Sequence, residues 1–239
     1  MSLTLERIVP WGRTADEYRR MFALTPADLA DGVLDCGAGP AGFVAEVAAA
    51  TAATGLSSAG LDPRPVVAVD PLYAFTGEEI GQRFAEVAES IMIQVRAAPE
   101  RWCWSYHGTP EGLLANRRSA LTTFLADYEA GRAEGRYVAA QLPNLPFADG
   151  HFGLALSSHL LFLYSDLLTA EFHVQAVREL GRVAREIRIF PLLNLDGQPS
   201  PHVPAVESAA AQWGWPTERV RVDYELQPGG NQMLRILCR

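Results

Sequence analysis

Gly32-Val33-Leu34-Asp35-Cys36-Gly37-Ala38-Gly39-Pro40-Ala41-Gly42 decides the fold. A short apolar run ends in an acid and meets glycines at once, which predicts a strand entering a tight turn. Gly37, Gly39 and Gly42 make a G-x-G-x-x-G pattern that opens a helix. Gly37 and Gly39 let the backbone turn sharply and approach a ligand, and Gly42 is expected to let the helix pack on the sheet. Pro40 suits a first helical turn, where its missing N–H costs nothing. Such a strand–turn–helix marks the nucleotide crevice of an open α/β fold.

Working outward, residues 14–22 read as an amphipathic helix, with Thr14 as N-cap and Glu17 completing a capping box. Thr25-Pro26 starts a second short helix, so N-terminal helices span 14–31. Residues 43–53 are Ala-rich and helical, and 55–65 form a long loop. Buried strands are expected at 65–70, 136–140, 153–157 and 186–190, with helices at 172–184 and 203–213. Two last strands, 220–224 and 232–237, flank the hairpin signal at 227–231. Strands alternating with helices predict one doubly wound, Rossmann-like α/β domain over residues 1–239. Its seven-stranded sheet is mostly parallel, with one antiparallel strand at the C-terminal hairpin. The crossover from Asp70 to Tyr137 is far longer than one helix requires. Helical patterns at 78–97 and 110–134 flank Arg101-Trp102-Cys103-Trp104-Ser105-Tyr106-His107, so a helical insertion over about 76–134, a candidate cap, is expected.

The chain has 239 residues, 49% of them hydrophobic and 20% charged, which suits a sizeable core and argues against wholesale disorder. A net charge of −8 repels phosphates, so no nucleic-acid partner is expected. Cys36, Cys103 and Cys238 stand far apart without a CxxC or His/Cys cluster. They read as small buried hydrophobes, with no metal site and no disulfide framework. Neither a signal peptide nor a membrane-length apolar run is present, so a cytoplasmic protein with no membrane partner is expected. Oligomeric state is not legible.

Asp70 at the end of the second strand is placed to accept both hydroxyls of a ribose. In NAD-binding folds that acid follows the glycines by about 20 residues, and Asp70 lies well beyond that. Asp35, two residues before Gly37, puts an acid against the turn, which disfavours a pyrophosphate and favours a cationic amino group. The stretches Leu34-Asp35-Cys36-Gly37-Ala38-Gly39, Val67-Ala68-Val69-Asp70 and Leu145-Pro146-Phe147-Ala148-Asp149-Gly150-His151-Phe152 resemble successive motifs of class I S-adenosylmethionine (SAM)-dependent methyltransferases. The likeness is to the methyltransferase type 11-like, small-molecule branch and covers roughly residues 30–73 and 136–239. Trp11-Gly12-Arg13-Thr14-Ala15-Asp16-Glu17-Tyr18 and the insertion resemble a little-characterised bacterial subgroup, which brings no substrate.

The resemblance implies SAM as cofactor. Gly37 and Gly39 would pass under its methionine part, and Asp35 would reach its ammonium directly or through water. Asp70 would hold the ribose, Leu72 would lie against the adenine, and the Leu142 N–H would reach a ring nitrogen. Gln141 stands where the family often has Asp for the adenine amino group. Ser157 would line the methionine end. Gly153 replaces a common Asp, with only a structural effect expected.

Methyl transfer from a sulfonium needs alignment and exclusion of water, and for some acceptors a general base. His159 and Tyr164, beyond the fourth strand, are the candidate catalytic residues. His107 is expected in an exposed loop. Trp102, Trp104 and Tyr106 either wall an acceptor pocket or anchor the insertion. Arg13 and Tyr18 either close over the SAM carboxylate or pack the helix. Arg178, Arg182 and Arg185 read as a solvated face. The resulting reading is a methyltransferase acting on a small molecule. The alternatives are a macromolecular acceptor, a SAM-binding protein without transferase activity, and an NAD-dependent oxidoreductase. The early acid and the Leu-Pro-Phe motif speak against the last.

Overall fold

The structure, a computed structural model, describes residues 8–54 and 64–238. Seven strands are β1 (Asp31–Cys36), β2 (Arg64–Val69), β3 (Tyr137–Val138), β4 (Phe152–Ser158), β5 (Ala184–Phe190), β6 (Thr217–Arg221) and β7 (Gln232–Leu237). They form one sheet in the order β3-β2-β1-β4-β5-β7-β6. The β2–β1, β1–β4, β2–β3 and β4–β5 pairs are parallel, and β7 is antiparallel to both neighbours. The doubly wound sheet with one antiparallel strand is as expected. Strand order reverses between β1 and β4, so a crevice opens at their carboxyl ends. The loop expected at 55–65 falls mostly outside the described residues.

Side chains alternate along the strands and build two cores. Leu34, Val67, Ala155 and Ile187 face α5 (Ala170–Val183) and α6 (Val203–Gln212), where Val177, Leu180 and Val206 are fully buried. Val33, Val66, Leu154 and Leu156 face α1 (Ala15–Phe22), α2 (Phe43–Thr54) and α4 (Pro110–Ala133), packing with Tyr18, Phe43, Phe124 and Tyr128. Helix α1 begins with the expected capping box of Thr14 and Glu17.

Four readings change. β3 has two residues rather than five, because its partner β2 ends at Val69 and leaves nothing further to pair with. β6 lies three residues earlier than its apolar pattern suggests. The register of β7 selects 217–221, while Tyr224 leaves the sheet for a buried hydroxyl contact with Glu17. Only part of the expected insertion is extra. Helix α4 is the crossover's own sheet-covering helix, and α3 (Gly77–Ala97) packs outside it through a third core of Phe84, Ile91, Met92, Val95 and Leu113. Gly42 also serves this arrangement rather than the sheet. A Cβ there would meet the Ala120 carbonyl and Thr123 of α4 at 3.4 Å.

Gly153 has a steric reason, since a Cβ would lie 2.9 Å from Asp31 Cβ. The basic run is not simply solvated. Arg182 pairs with Glu179 and Asp149 and donates to the Leu145 and Phe147 carbonyls, tying down the Leu-Pro-Phe loop, and Arg185 pairs with Asp31. No described helix is long and apolar enough to cross a membrane, and no His/Cys/Asp/Glu group suited to a metal occurs among the described residues.

Candidate active site

A cavity of about 900 Å³ opens at the carboxyl ends of β1, β2, β3 and β4. Its floor is the glycine turn, where Gly37 and Gly39 have φ of +73° and +55°, a region that costs side-chain-bearing residues energy. A Cβ on Gly37 would also strike Leu160 at 2.4 Å. The Asp70 carboxylate fixes the turn. It accepts the Gly39 N–H at 2.9 Å and the Leu72 N–H at 2.8 Å, and the Tyr73 hydroxyl donates to the Gly39 carbonyl at 2.8 Å. Burial raises the Asp70 pKa, and the two N–H donors pull it partly back. Each oxygen keeps acceptor capacity for a ligand.

Gly37, Gly39, Asp70, Leu72, Gln141, Leu142, His159 and Tyr164 all line this cavity. Asp35 and Ser157 do not. Asp35 alternates with Val33 onto the face covered by α1, so it lies fully buried behind the turn beneath Tyr18. Neither of its oxygens has a hydrogen-bond partner; Tyr18 and Arg13 come near enough to favour its charge but not in hydrogen-bonding geometry. Burial, abetted by Asp70, pushes its pKa up to about 7. Ser157 is fully buried with an unpartnered hydroxyl, and its neighbour Ser158 reaches the wall instead, the side change that a one-residue step along a strand produces.

His159 has φ +52° and sits at the mouth of β4. Its backbone N–H donates to the Phe190 carbonyl at 2.7 Å, its ring stands edge-on to Phe190, and Nδ1 lies 2.9 Å from Ser158 Oγ. Burial, then Arg13, Arg117 and His107, hold its pKa well below the usual imidazole value, so it is neutral at physiological pH. The Tyr164 hydroxyl accepts the Val9 N–H at 3.3 Å, tying the N-terminal segment across the cleft.

That segment is locked down by a charge network absent from the sequence reading. Arg117 of α4 donates to both oxygens of Glu17 at 2.7 Å, and both side chains are fully buried. Against the penalty of burial, Arg117 holds the Glu17 pKa at about 2. The Tyr224 hydroxyl donates to Glu17 at 3.0 Å and His107 Nε2 contacts Tyr224 at 3.0 Å, while Asn116 reaches His107 Nδ1 at 2.9 Å. His107 is therefore buried, not an exposed loop residue. Burial, with Arg117, lowers its pKa to about 4. Trp102 lines the cavity, whereas Trp104 and Tyr106 anchor the insertion through bonds to Pro99 and Asp16. The roles of Ser158 and Tyr73 carried no signal in the sequence beyond their proximity to strand ends.

No family model matches the chain. The uncharacterized protein MJ0045 of Methanocaldococcus jannaschii is 29% identical over 235 residues, 98% of each chain. Among solved structures, the 16S rRNA (adenine(1408)-N(1))-methyltransferase of Catenulisporales acidiphilia is 15% identical, with a TM-score of 0.45 over 99% of this chain and 94% of its own. A SAM-dependent methyltransferase of Aquifex aeolicus is 14% identical, with a TM-score of 0.40 over 92% and 90%. The magnesium protoporphyrin IX methyltransferase of Synechocystis PCC 6803, crystallised with SAM, is 10% identical, with a TM-score of 0.43 over 86% and 68%.

Proposed function

We propose that this chain is a SAM-dependent methyltransferase acting on a small-molecule acceptor. The observation that carries the reading is the glycine turn clamped by a strand-end carboxylate, opening into a large cavity whose far walls are mostly apolar. The residues fit the cofactor. Asp70 keeps free lone pairs for ribose hydroxyls, Leu72 and Leu142 offer flat apolar contact for adenine, and Gln141 offers an amide oxygen for its amino group. Asp35, a buried carboxyl without partners behind the turn, favours positive charge on its far side and gives a pyrophosphate nothing to pair with.

When bound, SAM supplies a methyl group already activated on a sulfonium leaving group. The chain's task is to position and to keep water out. Val9, Trp11, Ile91, Trp102, Leu113 and Leu226 supply apolar walls beyond the cofactor residues. The volume lies near the top of the range of about 300–1,000 Å³ for ligand pockets, enough for a cofactor and a small acceptor side by side. His159 is neutral and lines the cavity, and its lowered pKa makes it a weak base, suited to take a proton only from an acceptor that becomes acidic as it gains the methyl group. Tyr164 borders the same space, but its hydroxyl already holds Val9, so its role is to shape the wall.

Calorimetry with SAM and with NAD tests the cofactor. Micromolar SAM binding and no NAD binding are expected, and the reverse would sink the reading. A screen with methyl-labelled SAM against metabolite fractions and against total RNA tests the acceptor. Label confined to RNA would overturn the small-molecule assignment.

A further inference from the structure

Helix α3 borders the cavity along most of its length, and the bordering face changes character along the helix. Glu79, Gln82, Arg83 and Glu86 line the cavity from its first half and are exposed, with Arg83 stacked 3.6 Å over the Phe75 ring. Val87, Ile91 and Val95 follow at four-residue intervals, so they stand in one row. Ile91 and Val95 are buried and Val87 is half-buried. At a rise of 1.5 Å per residue the row is about 12 Å long. Trp11, Trp102, Leu113 and Leu226 border the same space, and all of these residues belong to the third core or pack against it. The third core is therefore open to the cavity on one side. The Leu226 carbonyl accepts the Cys103 N–H at 2.7 Å and Trp11 stacks on Phe84, so this side is closed off by three separate parts of the chain.

The wall made by these Val, Ile, Leu and Trp side chains carries no charge and no hydrogen-bond acceptor. Its only polar side-chain atoms are two indole N–H groups, and that of Trp102 is buried without a partner. Polar side chains at the border are already engaged. Tyr164 holds Val9, Tyr224 bonds Glu17 and His107, and Gln227 donates to the Asn194 and Leu195 carbonyls at 3.1 and 3.3 Å. The charged wall groups lie elsewhere, Arg13 and Asp70 at the glycine turn and the others on the exposed half of α3. A charged or sugar-like body set against the third core would lose its water and find no acceptor or counter-ion in exchange.

We propose that the open side of the third core holds the body of the methyl acceptor, and that this body is an uncharged hydrocarbon. The role of acceptor rests on the methyltransferase reading above, whereas the binding of such a molecule does not. Its nucleophilic atom lies at the opposite end, toward His159 and the glycine turn, which meet through Leu160, the side chain that a Cβ on Gly37 would strike. A hydroxyl suits that end. An aliphatic amine is charged at neutral pH and would carry its charge into an uncharged chamber. The unpartnered Trp102 N–H tolerates one carbonyl or ether oxygen on the body and favours no donor there.

The test titrates 2-naphthol, 2-naphthalenesulfonate and adenosine into the protein saturated with S-adenosylhomocysteine, and 2-naphthol into the ligand-free protein. Wild type should bind 2-naphthol, and bind the sulfonate and adenosine about 10–100-fold more weakly, the factor expected for burying unpaired polar groups. Sulfonate or adenosine binding as tight as 2-naphthol would overturn the proposal, and adenosine binding tighter would point to a nucleoside acceptor. Two variants on different elements, both at half-buried positions, place the site. Leu226→Trp fills the chamber and should weaken 2-naphthol about tenfold or more. Val87→Lys puts a cation in it and should narrow the gap between 2-naphthol and the sulfonate, which loss of packing alone would not do. Melting curves confirm that each variant is folded, and the wild-type ligand series decides the matter if neither is. Folded variants that bind 2-naphthol like wild type, or that lose SAM and 2-naphthol equally, would overturn the assignment of this wall. If wild type binds 2-naphthol but neither SAM nor S-adenosylhomocysteine, the hydrocarbon site stands and the methyltransferase reading fails. If it binds SAM but no 2-naphthol, the methyltransferase reading stands and the hydrocarbon acceptor fails.

Discussion

A buried carboxyl without partners costs stability, and Asp35 is such a group. Its folded pKa of about 7 lies above the ordinary value of 3.8, so the folded state holds its proton more tightly than the unfolded chain. The stability tied to that proton is present below pH 3.8, falls as pH rises, and is gone above about 7. Asp35→Asn should therefore stabilise the ligand-free protein, by little near pH 4 and by up to about 4 kcal/mol above pH 7. Urea melts at several pH values check this, and a flat difference would mean that Asp35 is not strained. The same variant should bind SAM more weakly. Asp70 behaves differently, because its oxygens already serve Gly39 and Leu72. Asp70→Ala should weaken SAM binding by ~1–3 kcal/mol. Asp70→Asn, which keeps one acceptor oxygen, should lose less, and unchanged calorimetric affinity in both would remove Asp70 from the site. Asp35 was legible as an acid just before a glycine turn and Asp70 as an acid closing an apolar strand, both local patterns. That Asp35 turns away from the wall depends on which sheet face α1 covers, which no local pattern records.

At the scale of elements, the Glu17–Arg117 pair joins α1 to α4 across 100 residues of sequence. Its sequence signal was half visible. Glu17 reads correctly as the far member of a capping box, bonding the Thr14 N–H at 2.9 Å, but nothing local points to Arg117. A buried bidentate pair resists loss of one member more than loss of both, since one removal strands a charge. Arg117→Met alone should cost about 3–5 kcal/mol in urea unfolding. Adding Glu17→Leu should recover most of that, less about 1 kcal/mol for the lost cap. Full additivity of the two losses would show that the pair is not coupled. The same long-range logic explains the misplaced β6. Val220, Val222 and Tyr224 alternate as a strand should, yet Tyr224 is fixed by Glu17 and the strand stops before it.

Over the whole molecule, the cavity is built by parts that fold from opposite ends of the chain. Val9, Trp11 and Arg13 come from the N-terminal segment, Val87 and Ile91 from α3, and Tyr224, Leu226 and Gln227 from the connection between β6 and β7. These covers meet each other around the ligand space, through the third core, where Trp11 stacks on Phe84 of α3 and Val9 and Leu226 pack alongside, and through the Glu17 network, whereas β4, β5 and β7 pair continuously in the sheet. A ligand that fills the cavity should thus stabilise unevenly. At 100 times its dissociation constant SAM should add about 2.7 kcal/mol, which for a chain of this size raises the melting temperature by roughly 5–11 °C. Amide hydrogen exchange should slow most at residues 9–13, 37–42, 70–72 and 224–230, and by no more than the global gain in β5 and β7. NAD at the same concentration should change neither. Protection spread evenly through the sheet, with the covering segments exchanging as before, would mean that SAM binds somewhere other than between these covers and the glycine turn.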